Sequence, residues 1–172
     1  NHSNTQIGDG SYYFRVRAVD DAGNWGLSGE YIVRIDTTPP GPPQLSQDQT
    51  FVRAAQKQID WVEAKDGAGS GIDEYTIIAC ANDPECSCDK VLTGVAMKFT
   101  QTGQNNNTDL TGLDEETTYY IVMNATDKVG LTSACSNSIT GGIDTIAPII
   151  TIIRPSGSII TNQPTFTVVT NE

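Results

Sequence analysis

The stretch YYFRVRAVDDAGNWG, from Tyr12 to Gly26, returns later in the chain as YYIVMNATDKVGLTS, from Tyr119 to Ser133. Both keep a Tyr pair, alternating apolar residues, then Ala-x-Asp-x-x-Gly. A motif repeated at a fixed distance requires a fold built in units of that length. Tyr12 and Tyr119 stand 107 residues apart (119 − 12), and Asp36 and Asp144, in IDTTPP and IDTIAP, stand 108 apart (144 − 36). That period matches one β-sandwich and exceeds any solenoid repeat. The chain therefore divides into residues 1–38, the C-terminal part of one unit, residues 39–145, a complete unit, and residues 146–172, the opening of a further one.

The complete unit reads as all-β. In QIDWVE, Ile59 and Trp61 share one face and polar neighbours take the other. AKDGAGSGIDE is dense in turn residues. Tyr75, Ile77 and Ala79 alternate in YTIIACA, and NDPECSCD is a polar loop. VLTGVAMKFTQT and TTYYIVMNATD are further strand regions, the last aligning Tyr119, Ile121, Met123 and Ala125 on one face. Short strands broken by turns at this spacing favour a sandwich, and no segment carries apolar residues at helical spacing.

GLDEETTYYIVMNATD, with Leu113 six residues before Tyr119, resembles the signature of fibronectin type III domains at the corner between their strands E and F. The resemblance implies that the Tyr119 hydroxyl bonds back to the turn, since a buried phenol needs a partner. It makes Trp61 the core Trp of strand B, and Tyr12 is the matching structural residue of the first unit. Asp114 and Glu115 stand where the family has Pro after the Leu. DTIAPIITIIRPSGSIITNQPTFTVVTNE is similar to the start of a bacterial immunoglobulin-like repeat, as in large secreted surface proteins. The expected fold is tandem immunoglobulin-like and fibronectin type III β-sandwiches joined by Pro-rich linkers.

A formal charge of −11 argues against nucleic acid and anionic membranes as partners, because both attract clustered Lys and Arg. No apolar run approaches the roughly 20 residues of a spanning helix. No signal-peptide pattern opens the sequence, so it reads as a mature chain or a window of a longer one. The four cysteines, Cys80, Cys86, Cys88 and Cys135, suggest disulfides and an oxidising compartment, either secreted or at the cell surface. Zinc is the competing reading, but Cys86-Ser-Cys88 lacks the usual ligand gap. With a Cys86–Cys88 bridge disfavoured by strain, two pairings remain. Cys80–Cys88 with Cys86–Cys135 is preferred, because Cys88 returns opposite Cys80 after a turn. Cys80–Cys86 with Cys88–Cys135 is the alternative.

RIDTTPPGPPQ places four prolines in the five residues after Thr38, and GIDTIAPII is a shorter version. Proline fixes φ and stiffens a linker, so neighbouring units should hold a set angle. Asp36 and Asp144 lie at these junctions, and Asp20, Asp21 and Asp127 lie in the turns after the repeated strand. Calcium takes several oxygens from such loops, which makes Asp36, Asp144, Asp20 and Asp127 candidate ligands and calcium the candidate cofactor. The plainer reading is that each Asp caps a turn through backbone N–H groups. Asn1, Asn106 and Asn124 fit the N-glycosylation pattern, with Asn106 in a polar loop and Asn124 on the outer face of its strand. Trp25, whose counterpart in the second copy is read as Leu131, is expected to pack against the next unit.

With one His, at position 2, Ser-His-Asp or Cys-His chemistry has no basis. DGAGSG lies between strands, not at a strand-to-helix junction, so it does not read as a phosphate loop. Asp114 and Glu115 are adjacent and would splay apart, unlike a hydrolase pair. The expected function is a non-catalytic structural segment of an extracellular stalk, fibre or filament, whose partners are neighbouring repeats of the same or identical chains. The alternatives are an adhesin or carbohydrate-binding module that engages surface glycan or protein, and a spacer in an extracellular hydrolase.

Overall fold

The computed structural model describes residues 7–46, 50–89, 96–103, 105–153 and 167–170. Twelve strands, and no helix, occur among the described residues. β1 (Gly10–Val16) and β2 (Gly29–Ile35) form an antiparallel hairpin in which Tyr12 opposes Val33 and Phe14 opposes Tyr31. The central sandwich sets a three-stranded sheet, ordered β3-β5-β8, against a five-stranded one, ordered β4-β10-β9-β6-β7. Its strands are β3 (Gln44–Leu45), β4 (Phe51–Val52), β5 (Gln56–Val62), β6 (Ile72–Ala81), β7 (Ala96–Thr102), β8 (Asn107–Thr111), β9 (Tyr119–Asp127) and β10 (Ile139–Ile143). β11 (Ile150–Ile153) pairs antiparallel with β12 (Thr167–Thr170).

Alternation decides which faces meet. β5 buries Lys57, Ile59 and Trp61 and exposes the residues between them. β6 and β9 bring Tyr75, Ile77, Ala79, Tyr119, Ile121, Met123 and Ala125 against that face, and Leu110 of β8 closes the layer. The Trp61 and Tyr75 rings meet with centroids 5.2 Å apart, tilted by 58°, in the range aromatic pairs favour. Leu113 is buried as well. The first strand of the unit is split between the sheets: β3 pairs antiparallel with β5, and β4, which the sequence pattern did not indicate, pairs parallel with β10.

Tyr119 Oη accepts the Asp114 N–H at 3.0 Å and donates to the Asp114 carboxylate at 3.4 Å. Tyr12 Oη donates to the Gly8 carbonyl at 2.8 Å.

A second, smaller cluster lies on the other face of the larger sheet, where Ile78, Cys80 and Val122 carry the remaining cysteines. The bridges are Cys80–Cys86 and Cys88–Cys135, which corrects the preferred pairing of Cys80 with Cys88 and Cys86 with Cys135. Asn82 at φ 51° and a turn closed by the Cys86 N–H on the Asp83 carbonyl (3.2 Å) fold Cys86 back onto Cys80. Cys88 is left to meet Cys135.

Candidate functional site

The two copies of the repeated motif make the same turn after their strands. The Asp20 N–H donates to the Asn24 carbonyl and the Gly23 N–H to the Asp20 carbonyl. In the later copy Asp127 donates to Leu131 and Gly130 to Asp127. Gly23 has φ 89° and Gly130 φ 91°, a left-handed conformation that explains the fixed Gly. Bridges pair Val19 with Trp25 and Thr126 with Thr132. The register thus equates Trp25 with Thr132, and Asn24 with Leu131, which corrects the assignment of Leu131 as the counterpart of Trp25.

That correspondence exposes a difference between the two aspartates. Asp20 is saturated. Its Oδ1 accepts the Ala22 and Asn24 N–H groups, and its Oδ2 accepts the Asn24 side-chain amide at 3.0 Å. These bonds, the Asn24 amide first, hold its carboxyl below the usual range. Asp127 Oδ1 caps its turn in the same way, accepting Val129 and Leu131 N–H groups at 2.9 Å each. Leu131 has no side-chain amide to offer, however, and Asp127 Oδ2 is buried with no hydrogen-bond partner. The residue as a whole is 1% exposed.

Asp127 is not alone. Asp36, just past the end of β2, and Asp66, in the loop between β5 and β6, each bring a carboxylate oxygen close to it, and the three oxygens lie within 4.8 Å of one another. Asp36 Oδ2 accepts the Ser70 N–H at 2.7 Å, and Asp66 Oδ2 accepts the Gly71 N–H at 2.5 Å. The Ser70 hydroxyl is buried and unpartnered. At an effective dielectric of about 20, two carboxylates this close repel by roughly 3.5 kcal/mol. The cluster also joins distant parts of the sequence, since Asp36 precedes the prolines whereas Asp66 and Asp127 belong to the sandwich that follows them.

Asp144 stands apart from that group, its Oδ1 accepting the Ile146 N–H at 3.1 Å. Its surroundings show a second recurrent contact. Glu115 receives both the N–H (2.9 Å) and the hydroxyl (2.5 Å) of Thr145, and Asp9 receives both groups of Thr37, at 2.8 Å each. In each case an acid just before the tyrosine strand clamps the Thr that follows the junction Asp. The Thr145 hydroxyl and then its N–H hold the Glu115 carboxyl below its ordinary value. The Thr38 hydroxyl, followed by the Thr37 groups, does the same for Asp9. Asp114 and Glu115 therefore diverge, one serving the corner Tyr119 and the other the junction.

Trp25 differs from expectation. It is 58% exposed, and the Arg17 guanidinium lies 4.1 Å from its ring centroid, a cation–π contact in place of packing on a following unit. Asn106 is exposed and its carbonyl accepts the Trp61 N–H, and Asn124 is partly buried, opposite Thr76 in the ladder. Asn1 and His2 lie outside the described residues.

No family model matches the sequence, and no curated protein matches it. Among solved structures, the chain is similar to the chicken CNTN1 FN1–FN3 domains, at 17% identity and a TM-score of 0.45. That alignment covers 84% of this chain and 46% of the other, so the chain spans under half of that neighbour. By its own sheet orders the central unit is an all-β sandwich of a three-stranded and a five-stranded sheet, with Tyr119 pinning the corner before β9.

Proposed function

We propose that this chain is a non-catalytic structural segment of an extracellular multidomain stalk or fibre, in which tandem sandwiches are held at set angles. The observation that carries the reading is the junction contact from Asp36 to the Ser70 N–H, which ties the end of the first hairpin to a loop of the following sandwich across the prolines. The recurrent clamps, Asp9 on Thr37 and Glu115 on Thr145, support it by restraining the first residues of each junction. Pro40 and Pro43 are themselves buried, so the linker is packed as well as stiff. Two disulfides favour a secreted or cell-surface setting.

On this reading residues 1–38 belong to a further fibronectin type III-like unit. The hairpin face carrying Phe14, Val16 and Tyr31 is 50–73% exposed, whereas its counterpart in the sandwich, with Ile121, Met123 and Ile139, is buried. Partner strands from the same unit cover it in the assembled protein. Residues 146–172 belong to an immunoglobulin-like repeat.

Small-angle X-ray scattering of the chain tests the reading. An elongated particle of fixed maximum dimension supports it, whereas a compact particle, or the broad distribution of a freely jointed chain, overturns it. An adhesin is the second reading, favoured by the exposed Trp25 with Arg17 over its ring. Binding to a glycan array that is lost in Trp25→Ala selects that reading.

A further inference from the structure

We infer that Asp36, Asp66 and Asp127, with the Ser70 hydroxyl, form a calcium site at the junction between the hairpin and the sandwich. The acidic cluster alone does not carry the inference; the unsatisfied Asp127 does. A carboxylate oxygen buried at 1% residue exposure without any donor is costly, because buried charge is retained only when paired or bound to a metal. The chain itself supplies the comparison. In the equivalent turn Asn24 satisfies the second oxygen of Asp20, and at the corresponding place Leu131 leaves that of Asp127 open. The open oxygen belongs to a carboxylate that already has two others beside it.

Geometry selects the class of ligand. Oxygens on opposite sides of a calcium ion, each about 2.4 Å away, stand about 4.8 Å apart. Three oxygens mutually within 4.8 Å can therefore share one ion. The donors are all hard oxygens, with no His or Cys among them, which excludes a zinc-type set. Calcium tolerates irregular geometry and supplements protein oxygens with water, whereas magnesium demands a near-ideal octahedron at about 2.1 Å.

The protein holds the ligands ready. Asp36 is fixed by the Ser70 N–H, Asp66 by the Gly71 N–H, and Asp127 by its own turn. Lys128 has its Nζ over Gly71, 3.6 Å from where a Cβ there would sit, and among the described residues it makes no ion pair with any of the three carboxylates. The site rests on its own oxygens and stands whether or not the longer protein is a stalk. If it is one, the ion locks the junction angle.

Isothermal titration calorimetry of the metal-stripped chain with calcium chloride tests the site. The expected result is one ion per chain, with affinity lowered at least tenfold in Asp127→Asn, which keeps the turn-capping oxygen, and likewise in Asp66→Asn. Asp144→Asn should bind as the unaltered chain does. The absence of saturable heat, equal affinity in Asp127→Asn and Asp66→Asn, or magnesium binding as tight as calcium would each overturn the inference. Melting in calcium and in chelator, followed for both variants, separates lost binding from lost folding.

Discussion

Asn137 performs the work of a strand with a single side chain. Leu45 pairs with Trp61 in β5, and its neighbour Ser46 donates to the Asp60 carbonyl at 2.9 Å. The N–H and C=O of Leu45 itself instead meet Asn137, which accepts at 2.8 Å through Oδ1 and donates at 3.0 Å through Nδ2. The residues are 92 positions apart, and the pair joins the smaller sheet to the segment entering β10 of the larger. Replacing Asn137 by Ala removes both bonds, each worth about 1 kcal/mol net. Leu45 is buried, but Asn137 is solvent-exposed, so water recovers part of the loss. The expected cost is about 1–2 kcal/mol, or several degrees in melting temperature for a unit of this size. Asn137→Asp keeps the acceptor but turns a second oxygen toward the Leu45 carbonyl, so it should cost at least as much. Urea unfolding followed by tryptophan fluorescence gives the number, and amide exchange at Leu45 should accelerate about tenfold for each 1.4 kcal/mol if opening there is global. Ser138→Ala, one residue on and exposed, should stay within about 0.5 kcal/mol. If Asn137→Ala unfolds no more easily than Ser138→Ala, the side-chain bridge contributes nothing and the reasoning fails.

Non-reducing peptide mapping should recover Cys80 linked to Cys86 and Cys88 linked to Cys135. Loop-closure entropy for separations of 6 and 47 residues makes the second bridge worth about 4 kcal/mol against about 2 for the first, so Cys88→Ala/Cys135→Ala should be the more damaging pair in urea. Tyr119→Phe removes the hydroxyl from the Asp114 N–H and should cost about 1–2 kcal/mol by the same assay. Gly142→Ala would place a Cβ 2.5 Å from the Thr117 carbonyl and 2.8 Å from the Phe51 ring, and should lower stability by about 1–3 kcal/mol through overpacking. Hydrogen bonds from Thr145 depress the Glu115 carboxyl in the folded chain, so the clamp is fully formed above the ordinary glutamate value of 4.5 and lost as pH falls through the lower folded value. The Thr145 amide resonance should report that transition by NMR, and a midpoint at or above 4.5 would contradict it.

What could be read from the sequence was local. The alternation of Ile59 and Trp61, the spacing of Leu113 before Tyr119, and the Asp-x-x-Gly turn all record contacts within a few residues or along one strand. Asp36 and Asp127 stood out because junctions and turns are visible as patterns. Asp66 did not, since it is one acid in a turn-rich run whose meeting with the others depends on how the hairpin docks. The difference between Asn24 and Leu131 was the available signal, and it acquires meaning only once the two turns are superposed. The cysteine pairing turned on the left-handed Asn82 and the tight turn from Asp83 to Cys86 that follows it. The burial of Lys57 at 2% exposure depends on a distant glycine. Its stem passes where a Cβ at Gly141 would stand, with Cε 3.2 Å from that point, and no pattern within β5 signals the opening.

The Cys88–Cys135 bridge changes what happens if a molecule of this kind is pulled from its ends. Tension enters the sandwich near Leu45 and leaves near Ile143. Once the sheets part, however, the chain between residues 88 and 135 is bypassed by the covalent link. At about 3.4 Å per extended residue, the 47-residue loop withholds about 160 Å of contour length, roughly half of what a fully unravelled unit would release. An oxidised unit therefore yields in a short step and then stops, and a reductant would let the same load draw out the rest.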